Sequence, residues 1–227
     1  PVLCGSASKN VGTQLLMDFL TSYCPSPADI SAISAEEGGK EVELKVEDNG
    51  EFSGFVFKTL SEPHVGELSL IRVFSGSVKT GDDLLNTTRD TSEKIGQIYT
   101  LNGRDRKEIG ILKAGDIGAL VKLKETHTGD TLASKKRKVK FKPIEFFTPV
   151  VEVAITPKSK GDEDKISTGL HTLNEIDPSF TVTIDPELHQ TVIAGKGEVH
   201  LTVILKKLKE RFGVEVDRKK PKIPYRE

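Results

Sequence analysis

Tryptophan is missing from this chain of 227 residues, methionine occurs once, and cysteine occurs twice, at Cys4 and Cys24. Two cysteines cannot build a disulfide framework. They also lie far from any histidine cluster, so no metal site is expected and both read as reduced thiols of a cytoplasmic protein. No apolar run approaches the ~18 residues of a spanning helix, and no basic segment followed by an apolar stretch opens the chain. The expected partners therefore do not include a membrane. A surplus of one charge is also lacking, with 33 Lys and Arg against 34 Asp and Glu. Coating of nucleic acid by bulk charge is thereby excluded, and any RNA contact must come from local patches.

Catalytic signatures are equally scarce. There is no GxxxxGK[ST] phosphate loop; Gly195-Lys196-Gly197-Glu198 lacks the preceding glycine spacing and the hydroxyl for magnesium. A strand-to-helix turn explains those glycines without a ligand. The histidines at 64, 127, 171, 189 and 200 fall on different segments with no HxxxH or HExxH spacing, and Asp82-Asp83 sits on a turn. No catalytic residue is assigned, and the residues alone read as a binding module.

What is present is a core-forming composition, 36% hydrophobic and 30% charged, in a length that suits two ordinary domains. Pro1-Val2-Leu3-Cys4-Gly5-Ser6-Ala7 reads as a short buried strand entering a loop, and Leu15, Leu16, Phe19 and Leu20 give a helix over 12–23 that Pro25-Ser26-Pro27 stops. Residues 1–30 thus read as the end of an α/β domain, which makes the chain a piece of something larger. From Val42 the period drops to two. Short strands at 52–58, 68–74, 83–86, 95–101, 117–123 and 131–132, divided by turns such as Lys79-Thr80-Gly81-Asp82, Ala114-Gly115-Asp116 and Thr128-Gly129-Asp130, predict an antiparallel β-barrel over 31–134. Residues 135–148 read as a flexible, exposed linker, because six of the eight residues at 135–142 are Lys or Arg and none is acidic. Beyond it, strand 150–155, helix 162–176, strands 180–184 and 191–194, helix 198–212 and strand 214–217 give βαββαβ, a ferredoxin-like α+β domain over 149–221, with 222–227 opening a further domain. Phe180, Val182 and Ile184 are expected under the helices, with Thr181 and Thr183 on an open polar face.

Several of these motifs together resemble elongation factor G, a family of translational GTPases. Pro1 to Ala7 is similar to its final guanine-binding motif, and Pro25-Ser26-Pro27-Ala28-Asp29-Ile30 to the exit from that domain. Arg72-Val73-Phe74-Ser75-Gly76, Gly81-Asp82, Ala114-Gly115-Asp116-Ile117 and Thr128-Gly129-Asp130-Thr131-Leu132 resemble the second-domain barrel that translation factors share. Glu175-Ile176-Asp177-Pro178-Ser179-Phe180 and the stretch from Gln190 to Leu201 resemble the third domain of elongation factor G itself.

The resemblance implies a parent protein that binds GTP with Mg2+, hydrolyses it on the ribosome and promotes movement of tRNA and mRNA during protein synthesis. Of the nucleotide site only Ser6 and Ala7 are present, so this chain by itself is expected to bind neither cofactor and to be monomeric. The resemblance further implies that Gly195, Lys196, Gly197, Glu198 and His200 touch the nucleotide-responsive G domain of the same parent. It makes the barrel an anchor on ribosomal RNA. Candidate phosphate partners are Arg104 and Arg106, with Arg72, Arg89 and Lys94, and the linker run Lys135, Lys136, Arg137 and Lys138. Lys196, Val199 and Thr202 stand where the family commonly carries Met, Leu and Asp. A paralogue, a ribosome-protection protein and a stand-alone RNA-binding module therefore remain open as alternatives.

Overall fold

A computed structural model describes residues 1–30, 32–62, 66–103, 105–159 and 161–222. His64 and Arg104 lie outside the described residues, as do residues 223–227 of the piece assigned to a following domain.

The first segment holds two 3-10 turns, Ala7–Lys9 and Pro27–Asp29, and between them helix α1 (Thr13–Tyr23), where the periodicity placed a helix. The strand expected before it is not formed. Among the described residues the pairing there is a single bridge between Ser6 and Val11, and Val2 and Leu3 are exposed. An apolar run becomes a buried strand only where neighbours take up its backbone N–H and C=O groups, and among the described residues none lies beside this one. Leu15, Leu16, Met17 and Leu20 of α1 are exposed as well.

The strands that follow are β1 (Ile33–Glu37), β2 (Lys40–Leu44), β3 (Ser53–Glu62), β4 (Gly66–Ser75), β5 (Ser77–Lys79), β6 (Asp83–Asn86), β7 (Thr91–Lys94), β8 (Ile98–Asn102), β9 (Asp105–Ile109), β10 (Ile111–Lys113), β11 (Ile117–Val121), β12 (Thr131–Ala133) and β13 (Val139–Lys140). Eight of them make one antiparallel sheet in the order β7-β6-β12-β3-β4-β11-β8-β9. Leu84 from β6 and Ile98 from β8, near opposite ends of that order, pack into the same core with Val56, Ile71, Leu120 and Leu132. A sheet can bring both ends to one core only by curling, and this gives the barrel-like form expected. Several short strands, β1, β2, β5, β7, β9, β10 and β13, were not marked by the sequence pattern; β9, for example, reads Asp105-Arg106-Lys107-Glu108-Ile109, with no apolar alternation to reveal it.

One local device recurs three times. Lys79 N–H donates to Asp82 Oδ2 at 2.8 Å, Lys113 N–H to Asp116 Oδ2 at 2.9 Å, and His127 N–H to Asp130 Oδ2 at 2.9 Å. The glycine before each Asp has φ of 94°, 90° and 96°, as the third residue of a type II turn requires. The shared Gly-Asp text of these turns is thus a backbone requirement, with the carboxylate closing the turn on the amide three residues back.

The linker expectation is corrected. Lys140 and Val139 pair with Glu36 and Glu37 of β1, Val139 and Phe141 are buried, and Phe141 packs against Phe74 with ring centroids 4.7 Å apart. The neutralising partners that the run lacks come from elsewhere in the chain. Arg137 meets Glu37 at 3.2 Å, Lys136 meets Glu51 at 3.7 Å, and Lys138 meets Asp90 at 3.7 Å. The barrel unit therefore extends at least to Phe141.

The last unit comprises β14 (Val151–Pro157), α2 (Glu163–Ile176), β15 (Thr181–Asp185), β16 (Gln190–Gly195), α3 (Glu198–Phe212) and β17 (Val216–Lys219). Its antiparallel sheet runs β15-β16-β14-β17, the ferredoxin-like order. Leu170 and Leu173 of α2 and Leu201, Ile204 and Leu208 of α3 cover one face together with Phe180 and Ile193. Thr181 and Thr183 are exposed on the other, whereas Ile184, expected inside, is 63% exposed near the end of its strand. Among the described residues no helix is long and apolar enough to cross a membrane.

Two buried carboxylates hold the loop that links β11 to β12. Glu93 accepts from the amides of Lys124 and Glu125 and from the Thr126 hydroxyl, while Asp130 Oδ2 accepts from Asn86 Nδ2, Arg89 Nε and the His127 amide. Removing a buried acceptor strands all its donors at once. Asp130→Ala is expected to cost about 2–4 kcal/mol, against about 0.5–1 kcal/mol for Asp82→Ala in the more open turn. Urea unfolding followed by circular dichroism compares the two, and equal losses would contradict the network.

Candidate functional site at the 195–200 turn

Strand β16 ends at Gly195 and α3 starts at Glu198, so the chain passes from strand to helix in two residues. A Cβ on Gly195 would lie 2.8 Å from Leu201 Cδ2 and 2.9 Å from His200 Nδ1. Glycine is what lets the first turn of α3 lie directly on the strand end. His200 Nδ1 accepts the Lys196 amide at 3.2 Å, and its Nε2 lies 3.3 Å from Asp177 Oδ2. With Nδ1 accepting, the ring proton resides on Nε2 and is donated to Asp177.

Asp177 caps the end of α2, and its Oδ1 accepts from the amide and hydroxyl of Ser179. Burial pushes its carboxyl up, but the bonds from Ser179 and His200 outweigh burial and hold the group below its ordinary value. The buried ring of Phe180 meets His200 edge-on, centroids 6.3 Å apart. The two separate sequence motifs, one ending α2 and the other running from β16 into α3, are thereby one constellation. Both nitrogens of His200 are engaged, so the residue positions backbone.

The remaining predicted members divide. The Lys196 ammonium lies 5.3 Å from the centre of the Phe147 ring. Glu198 is exposed and accepts the Thr202 hydroxyl through its carbonyl, and Gly197 has open space around its Cα. At the amino end, the Ser6 amide and carbonyl are taken by Val11, and Ser6 and Ala7 line an open cavity of about 330 Å³ together with Leu3, Val11 and Leu16.

Several candidate RNA contacts prove to be engaged within the fold. Arg89 bonds Asp130, Arg72 lies 5.5 Å over the Phe74 ring, and Arg106 pairs with Glu62 at 3.0 Å. Lys135 is exposed. Sequence reasoning also passed over His127, whose Nδ1 contacts the Glu175 carboxylate across the junction of the barrel and the α+β unit. Glu175 is two residues from Asp177, so the end of α2 meets one histidine from each side. The junction is supported by Arg211, which reaches the Ser61 carbonyl at 3.5 Å. A detectable signal was the Asp-Pro-Ser text itself, since an Asx turn after a helix commonly fixes a carboxylate for a partner.

Because the Asp177 carboxyl is depressed in the folded chain, the stability it adds is complete above about pH 4 and is lost as pH falls through the lower folded value. Asp177→Asn should lower Tm at pH 7 and flatten the acid loss below pH 4. Thermal melts from pH 7 to pH 2.5 that track the unsubstituted chain in parallel would refute the assignment. For the junction, a double-mutant cycle on His127→Ala and Glu175→Gln should give a coupling of about 0.5–1 kcal/mol, and a coupling indistinguishable from zero would remove it.

Comparison with known proteins bears on the whole constellation. A family model described as elongation factor G domain 2 matches residues 51–135, and one described as Elongation Factor G, domain III, matches residues 146–220. A crystal structure of a protein from Thermus thermophilus superposes with a TM-score of 0.75 at 27% identity, covering 96% of this chain and 31% of that one. The chain thus spans about a third of the length of that structural relative. The two matched stretches hold the barrel with its Gly-Asp turns and the α+β unit with the Asp177–His200 contact, and the chain belongs to the elongation factor G family.

Proposed function

We propose that this chain is the central part of a translation elongation factor that binds the ribosome and couples GTP hydrolysis to movement of tRNA and mRNA. Its α+β unit is the coupling element, and the turn at 195–200 is the surface that meets the nucleotide-responsive domain of the same parent. The observation that carries this is His200, which ties the Lys196 amide at the start of the turn to Asp177 at the end of α2. A displacement of the turn is thereby delivered to the same helix end that His127 of the barrel touches. Ser6 and Ala7 would contribute backbone contacts to the guanine, while the phosphates and Mg2+ would be held by elements of the parent outside this chain. The exposed face of α1 fits a remainder of that same domain.

The test is ribosome-stimulated GTP turnover by the full-length parent carrying His200→Ala. Loss of the coupling is expected to lower stimulated turnover by at least about fivefold while leaving the basal rate unchanged. Unaltered stimulation together with unaltered translocation would reduce His200 to a residue of the fold.

A further inference from the structure

The charge balance of the whole chain conceals a strong polarity within the α+β unit. Residues 161–195 carry seven carboxylates and one lysine, whereas residues 196–222 carry nine Lys or Arg and four carboxylates. The sheet order places β15 at one edge and β17, with Arg218 and Lys219, at the other, while Lys222 reaches back to the Leu188 carbonyl of the β15–β16 hairpin. On the basic side, α3 and β17 border an open furrow whose two halves, about 310 and 440 Å³, both include Thr202 and Arg218 in their walls. Lys158, Lys206 and Lys209 rim the first half with Glu215, and Lys219 and Lys220 rim the second with Glu152 and Glu198, so with Arg218 six cations face three carboxylates.

The cations are presented outward. Lys206 and Lys209, one helical turn apart, have side chains 71% and 63% exposed. Glu215 serves both Lys158 and Lys209, and Glu210 lies 3.8 Å from Lys206, so these three lysines face two carboxylates and one positive charge is left over. Arg218 is oriented by the Thr202 hydroxyl at 3.1 Å. The apolar floor is already covered, with Leu205 and Val214 buried. The basic side chains of β17 also oppose addition of a further strand at that edge. A 15-residue helix is about 22 Å long, a distance over which one nucleic-acid strand presents roughly six phosphates.

We propose that the α3–β17 furrow is an RNA-binding surface that takes the sugar–phosphate backbone of a helical RNA. It borders the 195–200 turn at Glu198, lies apart from the barrel strands, and requires no nucleotide.

The experiment measures binding of the whole chain to a fluorescent 20-base-pair RNA hairpin by anisotropy between 50 and 200 mM KCl. Two variants are compared: Lys206→Gln with Arg218→Gln and Lys220→Gln in the furrow, and Lys135→Gln with Lys136→Gln and Lys138→Gln on the barrel. The furrow variant should bind at least about tenfold more weakly at 100 mM salt, with a salt slope reduced by about one for each phosphate contact removed. The barrel variant should stay within about twofold. Circular dichroism monitors folding, and Lys219→Gln with Lys220→Gln, expected to lose about threefold, replaces the triple variant if that one unfolds. An unchanged furrow variant, equal losses in both variants, or absence of binding at 50 mM would overturn the proposal. Tighter binding of polyglutamate than of the hairpin would overturn it in favour of an acidic protein partner. No ribosome or GTP enters the assay, so its failure leaves the reading of His200 untouched.

Discussion

Asp130 and Glu93 are buried carboxylates with donors on every side, and much of the molecule's arrangement follows from them. A buried carboxylate is tolerated only when its lone pairs are filled, and here the filling groups are the backbone amides of one loop together with Asn86 and Arg89. The loop at 124–130 has little regular structure of its own, so these bonds define its path. That path sets the position of His127, and through it the contact with Glu175 on α2. The geometry between barrel and α+β unit is therefore fixed from inside the barrel, by two buried carboxylates.

The same economy of backbone capture recurs at smaller scale. Asp82 and Asp116 close their own turns, and Asp177 closes the turn at the end of α2 before it receives His200. Each carboxylate does a local task first and a long-range one only where a second partner arrives. Asp130 and Asp177 have such partners, and they are the points where separate elements are joined. Both fall within motifs that resemble the family text, which gives that text a physical meaning: it specifies turns whose side chains remain able to accept one more bond.

The basic run at 135–138 shows how far local charge can mislead. Nothing in the run itself neutralises it, and an exposed linker was the natural expectation. In the fold, Glu37, Glu51 and Asp90 lie beside it, because β13 is drawn onto β1 by the burial of Val139 and Phe141. Burying two apolar residues contributes about 3–5 kcal/mol, enough to place the charges where acidic neighbours meet them. On the α+β unit the opposite holds, since four carboxylates do not match the nine cations of residues 196–222 and the surplus remains at the surface.

What the sequence determined by itself are the features that depend on neighbours along the chain. The 3.6-residue spacing of Ile166, Leu170 and Leu173 and of Leu201, Leu205 and Leu208 gave both helices. The alternation of the barrel strands and of the α+β sheet gave the two fold classes, and Gly-Asp pairs gave the turns. Only the tertiary structure decided the relations between distant residues: that Asp177 meets His200, that His127 meets Glu175, that Arg72 and Arg89 serve the fold, and that β9 and β13 are strands at all. Strands such as Asp105–Ile109 carry no periodic signal because their hydrogen bonds, and not their side chains, hold them in the sheet. A polar pair many residues apart leaves no mark in a single sequence, since its energy depends on burial and distance, which exist only once the chain has folded.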